Sequence, residues 1–301
     1  MSTPRRALAW LELTPDYHCN QRCLGCYAVQ EQGPSMTPRE LAGLLVEGRR
    51  QGARSLWLGG GEPTLRRDLL ATVRAARKAG YDRVVLQTNA MLLAYPDAVT
   101  RLVDAGLTDV RVALKGHDAS THDRWTGTPG AFDLCVRALE NLARTALPVE
   151  ADVLVYASSM ARLPELVRAF LPRGVRRFHL WLLTAAPDAP PEVTRELPRV
   201  RDLVPYLEAA RAVEPSRPDL VTVLHTAPCT LPASLRGCLV RASDWGMLVA
   251  NPGGYTFRLE DSPMEGGRYL PGCARCALRG ACAGAREDYL GAFGDEEFAP
   301  V

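Results

Sequence analysis

Ser55-Leu-Trp-Leu-Gly-Gly-Gly-Glu-Pro-Thr64 decides how this chain is read. The run Ser55–Leu58 has the length and apolar content of a strand, and three glycines with a Glu-Pro pair then force a tight loop. A helix follows near Arg66–Ala79 and stops at Gly80. Working outward, the same order recurs. On the C-terminal side, strand Val84–Gln87 precedes a helix over Pro96–Ala105, and strand Val110–Leu114 precedes a helix over Ala131–Arg144. Strand Val149–Val155, a helix over Leu163–Phe170 and strand Val175–Leu182 complete the series. On the N-terminal side, strand Ala7–Leu13 leads to a helix over Thr37–Gln51, opened by a capping Thr37 with Pro38 in its first turn.

Six β-then-α repeats imply a parallel sheet covered by helices, and six fall short of the eight strands that close a full barrel. The fold class expected is therefore α/β: a partial (β/α)6 TIM-like barrel over residues 1–185. A flat doubly wound sheet would show the same alternation. In both, ligands sit at the carboxyl ends of the strands. That rim would gather the loop after the first strand, Gly59–Pro63, Thr88–Asn89 and Lys115–Gly116. Residues 186–228 read as a Pro-rich linker with a helix near Val200–Ala212. Residues 229–301 read as a small cysteine-rich domain, with a β-hairpin of Trp245–Ala250 and Tyr255–Leu259 about Asn251-Pro-Gly-Gly254.

Apolar residues at 47% and charged residues at 23% are ordinary globular values. The net charge of +2, from 36 basic and 34 acidic side chains, gives no general attraction to nucleic acid or to an anionic membrane. No stretch approaches the roughly 20 apolar residues that span a bilayer, and the start has no secretory core. The expected location is the cytoplasm. Nine cysteines are many for that compartment, where disulfides are rare, so thiols grouped by spacing suggest metal.

The first group is Cys19, Cys23 and Cys26, spaced C-x3-C-x2-C on the loop after strand one. Three thiolates on one loop would leave one iron of a four-iron cubane free for an outside ligand. A structural zinc would need a fourth protein ligand, and His18 adjoins Cys19 too closely to serve easily.

With Gly60-Gly61-Glu62-Pro63 after strand two, this spacing resembles the radical S-adenosylmethionine (SAM) superfamily. The likeness continues in Gln87-Thr88-Asn89-Ala90, in His122-Asp123-Arg124-Trp125-Thr126-Gly127 and in Ala131-Phe132, and covers about residues 7–182. The resemblance implies that Cys19, Cys23 and Cys26 hold a [4Fe–4S] cluster whose fourth iron binds the methionyl group of SAM. One electron then cleaves SAM to a 5′-deoxyadenosyl radical that abstracts a substrate hydrogen atom. It further implies that Gly60, Gly61 and Pro63 line the methionine moiety and that Glu62 accepts from its ammonium. Thr88 and Asn89 would lie near its ribose or methionine end, Arg124 would pair with its carboxylate, and Tyr27 would cover the cluster or adenine. A solvated loop acid is the alternative for Glu62, a plain strand-end turn for Thr88 and Asn89, and a surface arginine for Arg124.

This chain departs from the family at two places. Gly25 stands where an aromatic residue often precedes the third cysteine. Ala113-Leu114-Lys115-Gly116 replaces Ser-Leu-Asp-Gly after strand four, which removes a hydroxyl and a carboxylate and offers Lys115 as a cationic substrate contact.

Cys273, Cys276 and Cys282, spaced C-x2-C-x5-C, resemble the core of the SPASM/Twitch extension of such enzymes. The full extension binds two auxiliary clusters with further cysteines, at whose places this chain has Arg258 and Arg286. One auxiliary [4Fe–4S] cluster is expected, with Cys238 favoured over Cys229 as fourth ligand and a four-cysteine zinc as the alternative. Cys135, in a helix, reads as a buried structural thiol.

The function expected is a radical SAM enzyme acting on a ribosomally made peptide or protein, with an electron donor such as flavodoxin or ferredoxin. The strand pattern begins at residue 7, so a separate protein would supply any leader-peptide recognition. The alternatives are a radical SAM enzyme acting on a small-molecule cofactor, tetrapyrrole or antibiotic precursor, and a non-catalytic zinc-stapled binding protein.

Overall fold

The computed structural model describes residues 6–26 and 33–301. Strand β1 (Trp10–Leu13) leads to helix α1 (Pro38–Arg50), β2 (Ser55–Leu58), α2 (Leu69–Lys78), β3 (Arg83–Thr88), α3 (Pro96–Ala105) and β4 (Asp109–Leu114). Two helices, α4 (Ala119–Thr126) and α5 (Ala131–Leu142), precede β5 (Val149–Val155), α6 (Leu163–Phe170) and β6 (Val175–Leu182). The remainder carries α7 (Pro191–Arg195), α8 (Val200–Arg211), β7 (Val221–Leu224), α9 (Ala242–Trp245), β8 (Met247–Ala250), β9 (Thr256–Arg258) and α10 (Glu287–Phe293).

The strands form one sheet in the order β7-β6-β5-β4-β3-β2-β1-β8-β9, parallel throughout except for the β8–β9 hairpin. The sheet is open, with β7 and β9 at its edges, as a partial barrel requires. Alternation along each strand divides the two faces. Leu11, Leu13, Leu56, Leu58, Val84, Leu86, Val110 and Val112 are all at most 1% exposed and form a core with the helices. Intervening residues turn inward and are largely polar: Glu12, Gln87, Arg111, Asp152, His179 and Trp181.

Local chemistry sets the helix ends. Thr37 caps α1 by accepting from the Glu40 amide at 3.2 Å, while Glu40 accepts from the Thr37 amide at 2.6 Å. Helix α4 was not expected from sequence. Its Asp118 carboxylate accepts from the Thr121 amide at 2.8 Å, and Gly127, at φ +60°, ends it.

The region after residue 182 also differs from expectation. Within residues 186–228, α8 buries Leu203 and Leu207 and β7 buries Val221 and Val223, so this Pro-punctuated stretch joins the barrel core. Strand β8 adds to the barrel sheet beside β1, pairing Trp10 with Met247. No helix among the described residues is long and apolar enough to cross a membrane.

Candidate functional site

The loop after β1 carries Cys19, Cys23 and Cys26 along the carboxyl rim of the sheet, and neighbouring strands fix it. Backbone pairing runs on past the strand ends: Gly59 donates to the Leu13 carbonyl at 3.0 Å, Gly61 to Asp16 at 3.0 Å and Glu62 to His18 at 2.7 Å. The glycines answer to that approach. A Cβ on Gly60, where φ is +102°, would lie 2.6 Å from the Asp16 carbonyl oxygen, and one on Gly61 2.2 Å from that of His18. From the other side, Arg22 donates to Thr126 at 2.9 Å and Leu24 to Trp125 at 3.1 Å, tying the loop to the end of α4. Trp125 stacks on Tyr156 with ring centroids 4.1 Å apart, and the Tyr156 hydroxyl donates to the Leu24 carbonyl at 3.0 Å.

The three thiols are half-buried. Burial first, and then the nearby sulfurs of Cys26 and Cys19, push the Cys23 thiol up to about 11, with Lys115 acting in the opposite direction. Burial likewise raises Cys19, against hydrogen bonds from the Gln21 amide at 3.4 Å and from Asn89 Nδ2 at 3.8 Å. Tyr156 is raised by burial and then by Cys23 and Cys26. Each sulfur thus stands within electrostatic reach of its companions. Among the described residues, however, no three Cys, His, Asp or Glu side chains gather around one point closely enough to hold a metal ion. A donor set of three thiols on one loop fits an iron–sulfur cluster rather than a hard cation.

Glu62 is 1% exposed, and its carboxylate is engaged by the protein. It accepts from the Thr64 amide at 3.0 Å and hydroxyl at 2.5 Å, the Thr88 hydroxyl at 2.7 Å and the Asn89 amide at 2.7 Å. Burial raises its pKa against these bonds. Glu62, Thr88 and Asn89 therefore form one buried lock joining the ends of β2 and β3, neither a solvated loop acid nor a plain turn. Asn89 also donates to Asn20 Oδ1 at 2.7 Å, which carries the lock into the cysteine loop. Pro63 is buried at the start of a short 3-10 turn. Arg124 is exposed and lies over the Trp125 ring at 5.0 Å. Tyr27 lies outside the described residues. Where relatives carry an aromatic before the third cysteine, a Cβ on Gly25 would meet Leu183 Cδ1 at 2.6 Å, so Leu183 fills that space. His122 is fully buried and lowered to about 4 by burial and then by Lys115; its Nδ1 accepts from the Lys115 amide at 3.3 Å.

Beneath the rim the inward side chains form a polar floor. Asp152 accepts from Gln87 at 2.7 Å, Trp181 at 2.8 Å and Arg111. Burial alone would raise Asp152, but the Arg111 guanidinium more than offsets it and the net shift is downward. His179 bridges Glu150 at 2.9 Å and Thr222 at 2.8 Å. Glu12 stands apart: burial, then the carboxylates of Asp152 and Glu265, push it up to about 7. Sequence reasoning missed Glu12, although a lone acid within the apolar run Ala7–Leu13 was its signal. Tyr156 and Trp125 were missed as supports of the loop.

In the C-terminal segment, Cys229 lies within electrostatic reach of Cys282, Cys273 and Cys276. Cys238 is 3% exposed in the apolar core, and its thiol donates to the Leu235 carbonyl at 2.8 Å. Cys135 is fully buried on α5. Arg286 is 4% exposed and donates to the carbonyls of His225 at 2.8 Å and Leu183 at 2.9 Å.

Comparison with known proteins agrees with this geometry. Residues 14–157 match the family model described as the radical SAM superfamily. The chain is 31% identical to the AdoMet-dependent heme synthase of Methanosarcina barkeri over 186 residues, 61% of this chain and 52% of that protein. It is 32% identical to a probable GTP 3′,8-cyclase of Saccharolobus solfataricus over 178 residues, 58% of this chain and 57% of that protein. The chain thus spans about half the length of these curated relatives. Among solved structures, it resembles Streptococcus suis SuiB bound to precursor peptide SuiA, with a TM-score of 0.71 at 16% identity over 99% of this chain and 76% of that one. Three thiols on the loop after β1, the glycine loop pressed against it and the open parallel barrel accord with that family model, whose match covers just under half of the chain.

Proposed function

We propose that this protein is a radical SAM enzyme that modifies a ribosomally made peptide or protein. When bound, a [4Fe–4S] cluster and SAM supply a 5′-deoxyadenosyl radical that removes a hydrogen atom from the substrate. The chain's own residues would do the rest. Cys19, Cys23 and Cys26 would hold the cluster. The loop Gly60–Pro63, whose Glu62 carboxylate is already engaged, would offer backbone rather than side-chain groups to the methionine moiety. Thr88 and Asn89 act through the buried lock that holds this loop in place, and Lys115 brings a positive charge beside Cys23. Trp125, Tyr156, Leu183, Val193 and Leu197 form an apolar cluster behind the loop that excludes water. Flavodoxin or ferredoxin would supply the electron.

The observation that carries the peptide reading is the likeness in fold to a chain solved with a precursor peptide, which extends over 99% of this chain, cysteine-rich extension included. Cys273, Cys276 and Cys282 would hold an auxiliary cluster in that extension.

The test is anaerobic reconstitution with iron and sulfide, reduction, and measurement of 5′-deoxyadenosine with and without peptides encoded beside the gene. Brown protein that cleaves SAM and changes the mass of such a peptide supports the proposal. Cys23→Ala should abolish cleavage. Colourless protein with stoichiometric zinc at both cysteine groups would overturn the enzyme reading. Cleavage stimulated by a small cofactor precursor, and by no peptide, would overturn the substrate class alone.

A further inference from the structure

The inside of the barrel holds one acid that nothing in the chain answers. Glu12 pairs in register with Trp57 on β2 and with Val249 on β8. Its neighbours Leu11 and Leu13 are fully buried on the helix side, so the alternation of the strand turns Glu12 inward. There its carboxylate accepts no hydrogen bond and joins no ion pair among the described residues. The other interior acids are matched. Asp152 accepts from Gln87, Trp181 and Arg111, Glu150 lies 2.9 Å from His179 Nε2, and Glu265 lies 3.3 Å from His225 Nε2.

We propose that Glu12 is a substrate-binding residue that receives an organic cation, an ammonium or guanidinium group, inside the barrel mouth. The peptide modified by this enzyme would then carry a basic side chain at the place of reaction. The inference rests on the peptide reading for the carrier of that cation, and the experiment below separates the two.

Access is the first observation behind it. At the amino end the barrel is stopped by Trp10, Trp57 and Trp245, which meet edge to face with ring centroids 5.5, 5.8 and 6.2 Å apart. The Arg111 guanidinium lies 4.5 Å over the Trp57 ring and thickens this plug. Toward the carboxyl rim the interior is looser. Glu12, Gln87 and Trp181 all point inward, yet each is only half-buried. Open space therefore reaches Glu12 from the rim that carries the cysteine loop, and a group entering there meets the plug just beyond the carboxylate.

Charge is the second. Burial, and then the carboxylates of Asp152 and Glu265, push Glu12 up to about 7. A cation set against Glu12 would relieve that strain on the ionised form. An anion would add to it, and an apolar group would seal the carboxylate from water without a partner. Nor does the fold gain from an acid here, since an amide of the same size would carry no charge to bury. An ionisable group kept in a hollow at a cost in stability, with no bond in return, marks a binding position.

The experiment uses the full chain, reconstituted anaerobically and kept oxidised with SAM bound, so that nothing turns over. Binding is read by calorimetry at about pH 8, above the Glu12 pKa of about 7. The probes are blocked pentapeptides that differ only in a central lysine, norleucine or glutamate, and n-butylammonium against n-butanol. Wild type should bind the lysine peptide at least about tenfold more tightly than the norleucine peptide, and the glutamate peptide most weakly. Glu12→Gln should lose that preference with an unchanged circular dichroism spectrum, and Glu12→Asp, which keeps the charge, should retain part of it. Glu12→Ala replaces Glu12→Gln if the latter misfolds. Peptides bound without preference for lysine, or with a preference that survives in Glu12→Gln, overturn the inference and leave the peptide reading standing. If no peptide binds, but n-butylammonium binds more tightly than n-butanol in wild type and not in Glu12→Gln, Glu12 is the cation site and the peptide reading falls. Absence of preference for either cation in wild type overturns the inference outright.

Discussion

The loop of Cys19, Cys23 and Cys26 is laid down by the barrel, whereas the loop of Cys273, Cys276 and Cys282 is built from short 3-10 turns, Pro271–Arg275 and Arg279–Ala281. The first is bonded to the ends of β2 and α4 and backed by Trp125 and Tyr156. The second has a two-residue bridge between Arg268 and Ala285, a hydrogen bond from the Tyr269 hydroxyl to the Cys282 carbonyl at 2.6 Å, and one from Arg241 to Ala281 at 3.0 Å. The difference teaches what each metal would do. At the N-terminal loop the fold positions the thiols, and a cluster would add chemistry. At the C-terminal loop there is little core, and metal binding would supply much of the folding free energy.

Matched glycine substitutions test that difference most severely. Gly61→Ala sets a Cβ 2.2 Å from the His18 carbonyl oxygen, between two backbones that cannot both retreat from a sheet edge. It should lower the stability of the whole domain by about 4 kcal/mol, the upper end for an overpacked site, and prevent loading of the first cluster. Gly284→Ala, at φ +90° with its Cβ 2.7 Å from the Arg268 carbonyl oxygen, makes a similar clash in the extension. There the effect should remain local: hydrogen exchange between residues 268 and 285 quickens while the barrel's melting temperature holds. Equal global destabilisation by both substitutions would break the comparison.

The next largest effect belongs to Glu12, which joins the two regions because Glu265 of the extension is among the charges acting on it. Its pKa of about 7 in the folded state exceeds the ordinary 4.5, so between those values the native state binds the extra proton. Stability therefore falls as pH rises through this window, and Glu12→Gln should abolish the fall. The variant should be more stable than wild type by roughly 3 kcal/mol above pH 7 and equal to it below about pH 4.5. Glu265→Gln should shift the window to lower pH. If it does not, the extension is not packed over the barrel floor. Tyr156→Phe comes third. Removing the hydroxyl that donates to Leu24 should cost about 1 kcal/mol and leave the Trp125 stack intact, read by denaturant unfolding.

How much of this was legible in the sequence follows the same divide. The barrel and its rim were readable because each signal is local: a strand, then a loop of glycines or cysteines, then a capped helix. The bounds of α3 and α6 agree with the pattern at both ends. Where partners are far apart in sequence, reading failed. Nothing near Met247 announces that it will lie beside Trp10, and the prolines around β7 disguised a core strand. Helix α4 was hidden because its residues were read as a motif, although Asp118 and Gly127 are ordinary cap residues. The resemblance gives Gly60 and Gly61 as letting the backbone approach the methionine moiety; that the backbone of Asp16 and His18 also lies where a Cβ would stand was not legible, because those partners are far away in sequence. The resemblance gives Glu62 as accepting from the methionyl ammonium; that Thr64, in the turn after β2, and Thr88, at the end of β3, donate to it was not legible, because Thr88 comes from another strand.

The smallest effect expected is at Ala90, next to the Asn89 that reaches into the first cysteine loop. Ala90 adopts φ 65° and ψ 0°, a left-handed conformation that costs a residue with a Cβ about 1–2 kcal/mol. Glycine takes up this conformation readily, so Ala90→Gly is the natural relief. Two terms oppose it. Glycine gains about 0.5–1 kcal/mol of freedom in the unfolded chain, and Ala90 is fully buried, so its methyl group forfeits about 0.8 kcal/mol of burial. The three nearly cancel, and the variant should lie within about 0.5 kcal/mol of wild type. Chemical denaturation measures the change, and Ala90→Val supplies the contrast, since a branched side chain at positive φ should cost well over 1 kcal/mol. A loss above about 1.5 kcal/mol in Ala90→Gly would mean that packing of the methyl group, rather than the turn and the Glu62 lock, holds Asn89 against the cysteine loop. The first region would then depend on side-chain packing as the second would on metal, and the contrast between a pre-built and a metal-built site would narrow accordingly.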